Sequence, residues 1–469
     1  MFLSSTIDDV LRSLRPAFSR DTPFRLFYLV VFALCVMLEP ASVTAVVRVF
    51  NLIPEAAYRP LLHMFRSKAI NLERIGQLLL EYVLKHAPVK KIHDKPVFAV
   101  DSIKAPKEGR RMPGVKRQHQ ESGDNGKPTY VFAHLFGALS ILCETSLAHF
   151  ALLLRMCLQD GFITAFKASD EPSQVDKMAA LIIATAQKPS YILADSFYSA
   201  ANFLTLLLKH GHQVITRVRS TTVAYLKPEV PEHKGRGRPR TYGLKVHLKE
   251  RMADSSQFTK AVVNLNGKST EVWYHSEVLL WQGLEVLFVY SKLGDGRQAI
   301  YLSTDVTLSP LLVIELYASR FGIEHSFKNL VYTVHGFAYR FWTKIQDRKQ
   351  RLKGSRSLID LEERTRALLT DTVRAYHTFV TAACVALSCL QLIALLKAEQ
   401  VRTSCPLYFR SRGAVTKAPS ELMVQHAVQQ ELSRISPGSR PPLLLWEILA
   451  GLQRQEPTRH PLEVLGSLP

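Results

Sequence analysis

Three acidic residues, far apart in the chain, constrain its fold more than any other feature. Asp101 closes the run Val97-Phe98-Ala99-Val100, and Asp195 closes Tyr191-Ile192-Leu193-Ala194. Glu324 lies within Tyr317-Ala318-Ser319-Arg320-Phe321-Gly322-Ile323-Glu324-His325-Ser326-Phe327-Lys328. Each Asp follows a short apolar run, which reads as a buried strand ending in a carboxylate. Carboxylates at the ends of such strands can converge on one point. Converging carboxylates suit Mg²⁺, which prefers oxygen ligands and leaves positions open for substrate phosphate. Two such ions, roughly 4 Å apart, activate a water and stabilise the leaving oxygen of a phosphodiester.

The helix expected around Glu324 adds to this. At about 100° per residue, Tyr317, Arg320, Glu324 and Lys328 share one face. Cations beside a metal-bound carboxylate can grip a nucleic-acid backbone next to the scissile bond. The same pattern also fits a plain amphipathic helix with solvated charges. The net charge of +20 and the pI near 9.7 favour a polyanionic partner, either nucleic acid or an anionic membrane surface.

Several further pieces appear in order: Val100-Asp101-Ser102, then Pro113-Gly114-Val115-Lys116-Arg117-Gln118-His119 and Gly126-Lys127, then Ala194-Asp195-Ser196-Phe197-Tyr198. Lys234-Gly235-Arg236-Gly237-Arg238-Pro239-Arg240-Thr241-Tyr242-Gly243 follows, and last comes the Tyr317, Arg320, Glu324 spacing. In these motifs the chain resembles the bacterial insertion-sequence transposases of the cut-and-paste, DDE type. The resemblance runs over residues 95–345. It departs at one point: that family has a Lys seven residues after the Glu, and here Val331 stands there, with Lys328 one turn earlier.

The resemblance implies an α/β fold. A ribonuclease-H-like core would carry a β-rich insertion between the second Asp and the Glu, with a helical N-terminal domain in front. It implies Asp101, Asp195 and Glu324 as both catalytic and metal-binding residues, with two Mg²⁺ ions per site or Mn²⁺ in their place. The implied reaction is cleavage and strand transfer at DNA ends through a hairpin, by a synapsed homodimer on double-stranded element ends and target DNA. An alternative of another class is a transposase-derived DNA-binding protein that has lost its chemistry; intact acids at all three positions argue against it. A third, a basic membrane-associated protein, rests on two apolar stretches. The location expected is cytoplasmic, at the nucleoid. No GxxxxGK[ST] loop appears, so no ATP site is expected.

The chain, 469 residues with 47% hydrophobic and 21% charged, is globular and long enough for several domains. Residues 1–92 read as a helical DNA-binding domain. Within them Ser42 to Phe65 resembles helix-turn-helix, with Pro54 at the first turn of its second helix, although two packed core helices fit as well. Residues 93–219 and 307–400 read as the two parts of the core, and 401–469 as a tail suited to dimerisation. Residues 220–306 alternate polar and apolar, with turns at Asn266-Gly267 and Gly294-Asp295-Gly296, and read as the β-rich insertion. There Trp273 and Trp281 either stack on an unpaired base or fill the small sheet's core. Arg236, Arg238 and Arg240 suit an extended strand in a minor groove or a solvated loop.

Leu26 to Leu38 is too short for an ordinary membrane span. Phe379 to Leu396 is long enough, but Thr381, Ser388 and Gln391 interrupt it, so both stretches read as core helices. The six cysteines show no CxxC pair, which argues against zinc and against a disulfide framework. His134 and His149 read as core histidines. Asp170, Glu171 and Asp176 read as helix-start chemistry.

Overall fold

The computed structural model describes residues 2–39, 41–52, 54–107, 109, 112–120, 128–228, 240–340, 355–405, 417–434 and 442–453. Its centre is a sheet of five strands: Lys95–Pro106, Tyr130–Thr145, Ala148–Leu158, Tyr191–Ala194 and Gln213–Val218, called β1 to β5. Their spatial order is β3-β2-β1-β4-β5. The first three form an antiparallel meander, and β4 and β5 run parallel to β1. Parallel neighbours need crossovers, and two helices supply them. Gln174–Thr185, opened by a Ser173/Asp176 capping box, precedes β4, and Ala201–Lys209 joins β4 to β5. Val97 to Val100 and Tyr191 to Ala194 are buried throughout, as expected for strands covered on both faces.

Asp101 does not end its strand. The long β2 partner keeps β1 paired as far as Pro106, so Asp101 sits in mid-strand. What ends there is β4, whose last parallel pair is Val100 with Ala194. Asp101 and Asp195 therefore follow paired residues on adjacent parallel strands.

Thr259–Leu265, Lys268–Trp281, Leu284–Leu293 and Gln298–Ser303, called β6 to β9, form an antiparallel meander between Asp195 and Glu324. All three of its turns use left-handed backbone, the Gly294-Asp295-Gly296 turn at Gly296 with φ of 86°. Asn266-Gly267 has φ of 54° and 84°, and Gln282-Gly283 has 46° and 84°, as two-residue hairpins of the primed type require. The second pair carries no strong turn residue at its first position and is not predicted from the sequence. The meander does not stand apart from the core: β9 pairs antiparallel with β5, so one sheet runs from the core into the insertion.

The N-terminal helices Leu3–Ser13, Asp21–Val36, Val43–Val49, Pro54–Arg66 and Leu72–His86 share one hydrophobic core with the rest of the chain. The Pro54–Arg66 helix packs on the long Glu363–Leu396 helix, with Phe65 and Phe379 rings 5.8 Å apart. Arg59, Arg66 and Lys68 stay exposed. Glu431 accepts the Leu3 and Ser4 backbone N–H at 2.6 and 2.9 Å, and Gln425 donates to the Leu34 and Met37 carbonyls at 3.1 and 2.9 Å. The described part of 401–469 is thereby fastened to the N-terminal helices.

The Glu363–Leu396 helix is long and apolar enough to cross a membrane, but 89% of its most apolar window is buried inside the protein. Two of its interrupting polar side chains find partners there. Ser388 donates to the Leu153 carbonyl at 2.8 Å, and Gln391 donates to Ser326 and Glu421 at 3.1 and 3.0 Å. All six cysteines are free. His134 is buried against the Pro113 carbonyl at 2.8 Å. His149, expected in the core, is instead exposed and 3.3 Å from Glu144.

Candidate active site

The helix expected around Glu324 is two helices, Pro310–Ser319 and Gly322–Tyr332. Between them the hydrogen bonds tighten to three-residue spacing, as in Ile323 N–H to the Arg320 carbonyl at 3.0 Å and Glu324 N–H to the Phe321 carbonyl at 3.1 Å. The second helix is seated on β3: Ser326 donates to the Ala151 carbonyl at 2.6 Å, and a Cβ at Gly322 would lie in ordinary contact with Ala151. Tyr317 closes the first helix, Arg320 occupies the junction, and Glu324 stands in the first turn of the second.

This geometry places Arg320 between two of the acids. Its Nη1 donates to Asp101 Oδ2 at 2.7 Å and its Nη2 to Glu324 Oε1 at 3.2 Å. The Arg320 and Asp101 side chains are 12% and 20% exposed, whereas Glu324 is 43% exposed. Arg320 also lies over the Tyr317 ring, 5.6 Å from its centroid, and among the described residues its buried Nε has no hydrogen-bond partner. Asp195 caps the turn after β4, accepting the Ser196 N–H at 2.6 Å. Its carbonyl takes the Thr216 hydroxyl at 3.0 Å and the Tyr198 N–H at 2.9 Å.

Charge couples the three acids. Burial, and after it the Asp195 carboxylate, push the Asp101 pKa up, against the opposing pull of Arg320. Burial and the Asp101 charge likewise push Glu324 up. The carboxylates thus crowd a half-buried place that needs positive charge, and Arg320 supplies it. This corrects the expectation of a direct convergence. Among the described residues, no three His, Cys, Asp or Glu side chains stand grouped to enclose a metal ion. Asp101 and Glu324 meet across a guanidinium instead. Two Asp and one Glu remain a hard oxygen donor set that fits Mg²⁺ or Mn²⁺.

The remaining expected DNA contacts divide. Lys328 is exposed and, among the described residues, has no ion-pair partner. Arg240 is exposed, while Arg236 and Arg238 lie outside the described residues, as do Gly126 and Lys127. Trp273 is half-buried on β7, with the Lys260 ammonium 5.4 Å from its ring centroid. Trp281 is 5% exposed and belongs to the hydrophobic core. Its ring is covered by protein, so it packs the insertion and offers no open platform to a base. Asp176 is occupied as a helix-start group in the Ser173 capping box, whereas Glu171, expected to act likewise, ties down the loop at Thr164 instead. Glu171 accepts the Thr164 and Ala165 N–H and pairs with Lys177 at 2.6 Å.

Sequence reasoning missed the hydroxyl network below the acids. Ser102 shares a 2.7 Å hydrogen bond with the Tyr198 hydroxyl and donates to Gln159 Oε1 at 2.9 Å. Tyr198 was visible in the Asp-Ser-Phe-Tyr run, but nothing in the sequence marks Gln159.

Comparison with known proteins bears on the same residues. A family model described as DDE superfamily endonuclease matches residues 13–270, more than half of the chain, and contains Asp101 and Asp195 while stopping short of Glu324. No curated protein matches. Among solved structures, a cryo-electron-microscopy structure of a piggyBac transposase synaptic complex with hairpin DNA aligns at 11% identity, covering 98% of this chain and 83% of that one. Its TM-score is 0.35. On the family match, the chain belongs to the DDE superfamily endonucleases.

Proposed function

We propose that this chain is a metal-dependent DNA transposase of the insertion-sequence kind, cutting and joining element ends through a hairpin as a synapsed homodimer at the nucleoid. The observation that carries the reading is the pairing of Val100 with Ala194, after which Asp101, in mid-strand, and Asp195, just past its strand, are neighbours, with Asp101 joined to the Glu324 helix through Arg320. The β3-β2-β1-β4-β5 order, with β2 antiparallel to the other four strands, supports a ribonuclease-H-like core.

Asp101, Asp195 and Glu324 would hold the divalent ions, whose chemistry is to activate a water or 3′-hydroxyl and to stabilise the leaving oxygen. Arg320 neutralises Asp101 and Glu324 in the DNA-free chain. A guanidinium pairs as well with phosphate as with carboxylate, so an arriving backbone phosphate can take it over and release both acids. Tyr317 backs Arg320 through its ring, and exposed Lys328 and Arg240 add to backbone attraction. Half-buried Trp273 is the remaining candidate for stacking on an extruded base.

The direct test supplies purified protein with labelled candidate ends and Mg²⁺, and resolves nicked, hairpin and released products on gels. Metal-dependent nicking is the expected result. DNA binding without any cleavage, across Mg²⁺ and Mn²⁺, would favour an inactive DNA-binding descendant instead.

Arg320 supplies a second prediction. In the DNA-free protein, Arg320→Ala should tighten Mn²⁺ binding by roughly ten- to a hundredfold, the equivalent of removing a charge-assisted bond of about 1.5–3 kcal/mol. The same substitution should weaken cleavage, because the phosphate loses its partner. Titration of free Mn²⁺ by electron paramagnetic resonance measures the first effect. Unchanged or weaker Mn²⁺ binding would show that Arg320 does not compete for the acids.

A further inference from the structure

Ser102 and Tyr198 each follow one of the two strand-borne acids, and their hydroxyls meet at 2.7 Å. The bond therefore ties the segment after Asp101 to the segment after Asp195. Both ends are fixed locally. Ser102 N–H donates to Asp101 Oδ1 at 2.7 Å, and Tyr198 N–H donates to the Asp195 carbonyl at 2.9 Å. Tyr198 is 1% exposed, and its ring rests 5.4 Å from that of Phe203. Gln159, 2% exposed, reaches the same hydroxyl of Ser102 from the end of β3.

Gly137 explains how Gln159 gets there. It is the cross-strand partner of Ser102, and a Cβ on it would fall 2.0 Å from Gln159 Nε2. A glycine inside a strand often marks such a close approach. The carboxamide thus lies across the bare backbone of β2 to reach Ser102. Tyr198 and Gln159 are both enclosed, and Ser102 is half-buried.

We infer that Tyr198, Ser102 and Gln159 are positioning residues that fix the spacing and direction of the Asp101 and Asp195 carboxylates, so that both face one bound ion pair. The inference rests on the metal-dependent reading of the acids. The role needs no contact between these three side chains and substrate. They act through the backbone beside each Asp, as groups hydrogen-bonded behind metal ligands do when they hold those ligands in place. Since β1 and β4 pair only as far as Val100 and Ala194, no ladder bond holds the two acids themselves together. The hydroxyl bridge takes over where that parallel pairing stops.

The test compares Tyr198→Phe, Ser102→Ala and Ser102→Thr with the unaltered chain by Mn²⁺ titration in the absence of DNA. Single-turnover nicking, duplex affinity and a thermal melt accompany each variant. Tyr198→Phe and Ser102→Ala should each weaken Mn²⁺ binding and slow nicking by roughly ten- to a hundredfold. Duplex affinity should hold, and Ser102→Thr, which keeps the hydroxyl, should recover most of the loss. The double variant should lose no more than about what Ser102→Ala does, because that substitution already removes the bond that Tyr198→Phe breaks, along with the one to Gln159. Unaltered Mn²⁺ affinity in both single variants would overturn the inference while leaving the nuclease reading intact. Losses that only track a lower melt, with no recovery in Ser102→Thr, would overturn it equally. An unaltered chain that neither binds Mn²⁺ nor nicks would instead overturn the reading beneath it.

Discussion

Asp101→Asn, Asp195→Asn and Glu324→Gln are each expected to lower metal-dependent cleavage by roughly 10²- to 10³-fold or more, the scale of losing one fixed electrostatic partner at a reacting centre. Each substitution keeps the shape of the side chain and removes the charge that a divalent ion needs. The three differ in what else they disturb. Asp101→Asn deprives Arg320 of its shorter partner at 2.7 Å and leaves that guanidinium, 12% exposed, with Glu324 alone. A half-buried cation short of a partner costs stability, so this variant needs a melt beside its kinetics. Asp195→Asn retains an oxygen for the Ser196 N–H, and Glu324→Gln changes an exposed group, so both should fold as the unaltered chain does. End binding should survive in all three. Cleavage retained by any one of them, at matched folding, removes that residue from the site.

Trp281→Ala is expected to destabilise the fold by about 3–5 kcal/mol, the usual cost of emptying a buried Trp site, and to lower the melting temperature by several degrees. The ring is 5% exposed at the end of β7, beside the Gln282-Gly283 turn, and it is part of the continuous core. Every reaction step should then weaken together, in proportion to the folded fraction. Trp273→Ala should behave differently. Its half-buried ring lies against Lys260 and near Gly294. If it stacks on an extruded base, hairpin formation should fall by roughly five- to a hundredfold, about 1–3 kcal/mol, with first nicking largely spared. A thermal melt and a gel resolving the products separate the two cases. A Trp281→Ala chain that melts with the unaltered one contradicts the packing assignment.

The contrast between these two tryptophans shows where a sequence stops being informative. Both stand at odd positions on one unbroken strand, so period-two alternation puts them on the same face. What differs is how far along that face the protein covers the sheet, which no local pattern encodes. The short buried strands before Asp101 and Asp195 were legible because an apolar run flanked by polar residues has few other solutions. The continuation of β1 to Pro106 was not, since it depends on the length of its partner β2. Helical periodicity placed Tyr317, Arg320 and Glu324 together. It did not foresee the break at Arg320, which follows from seating the second helix on β3 through Gly322 and Ser326. Nor could spacing tell that the guanidinium would pair with Asp101 rather than only flank the acids. The Ser102 network was hidden for a similar reason: Gln159 reaches it only because Gly137, distant in sequence, is opposite Ser102.

The account's central claim is that Asp101, Asp195 and Glu324 serve one metal-binding place. Iron-directed cleavage of the protein backbone tests it most directly. Fe²⁺ substituted for Mg²⁺, with ascorbate and peroxide, generates radicals that cut peptide bonds near the bound ion. The unaltered chain, with its DNA end present, should yield fragments ending close to residues 101, 195 and 324 together. All three cuts should fade in Asp101→Asn and on addition of excess Mg²⁺. Cuts confined to one of these segments, or clustered elsewhere and indifferent to Asp101→Asn, would contradict the claim.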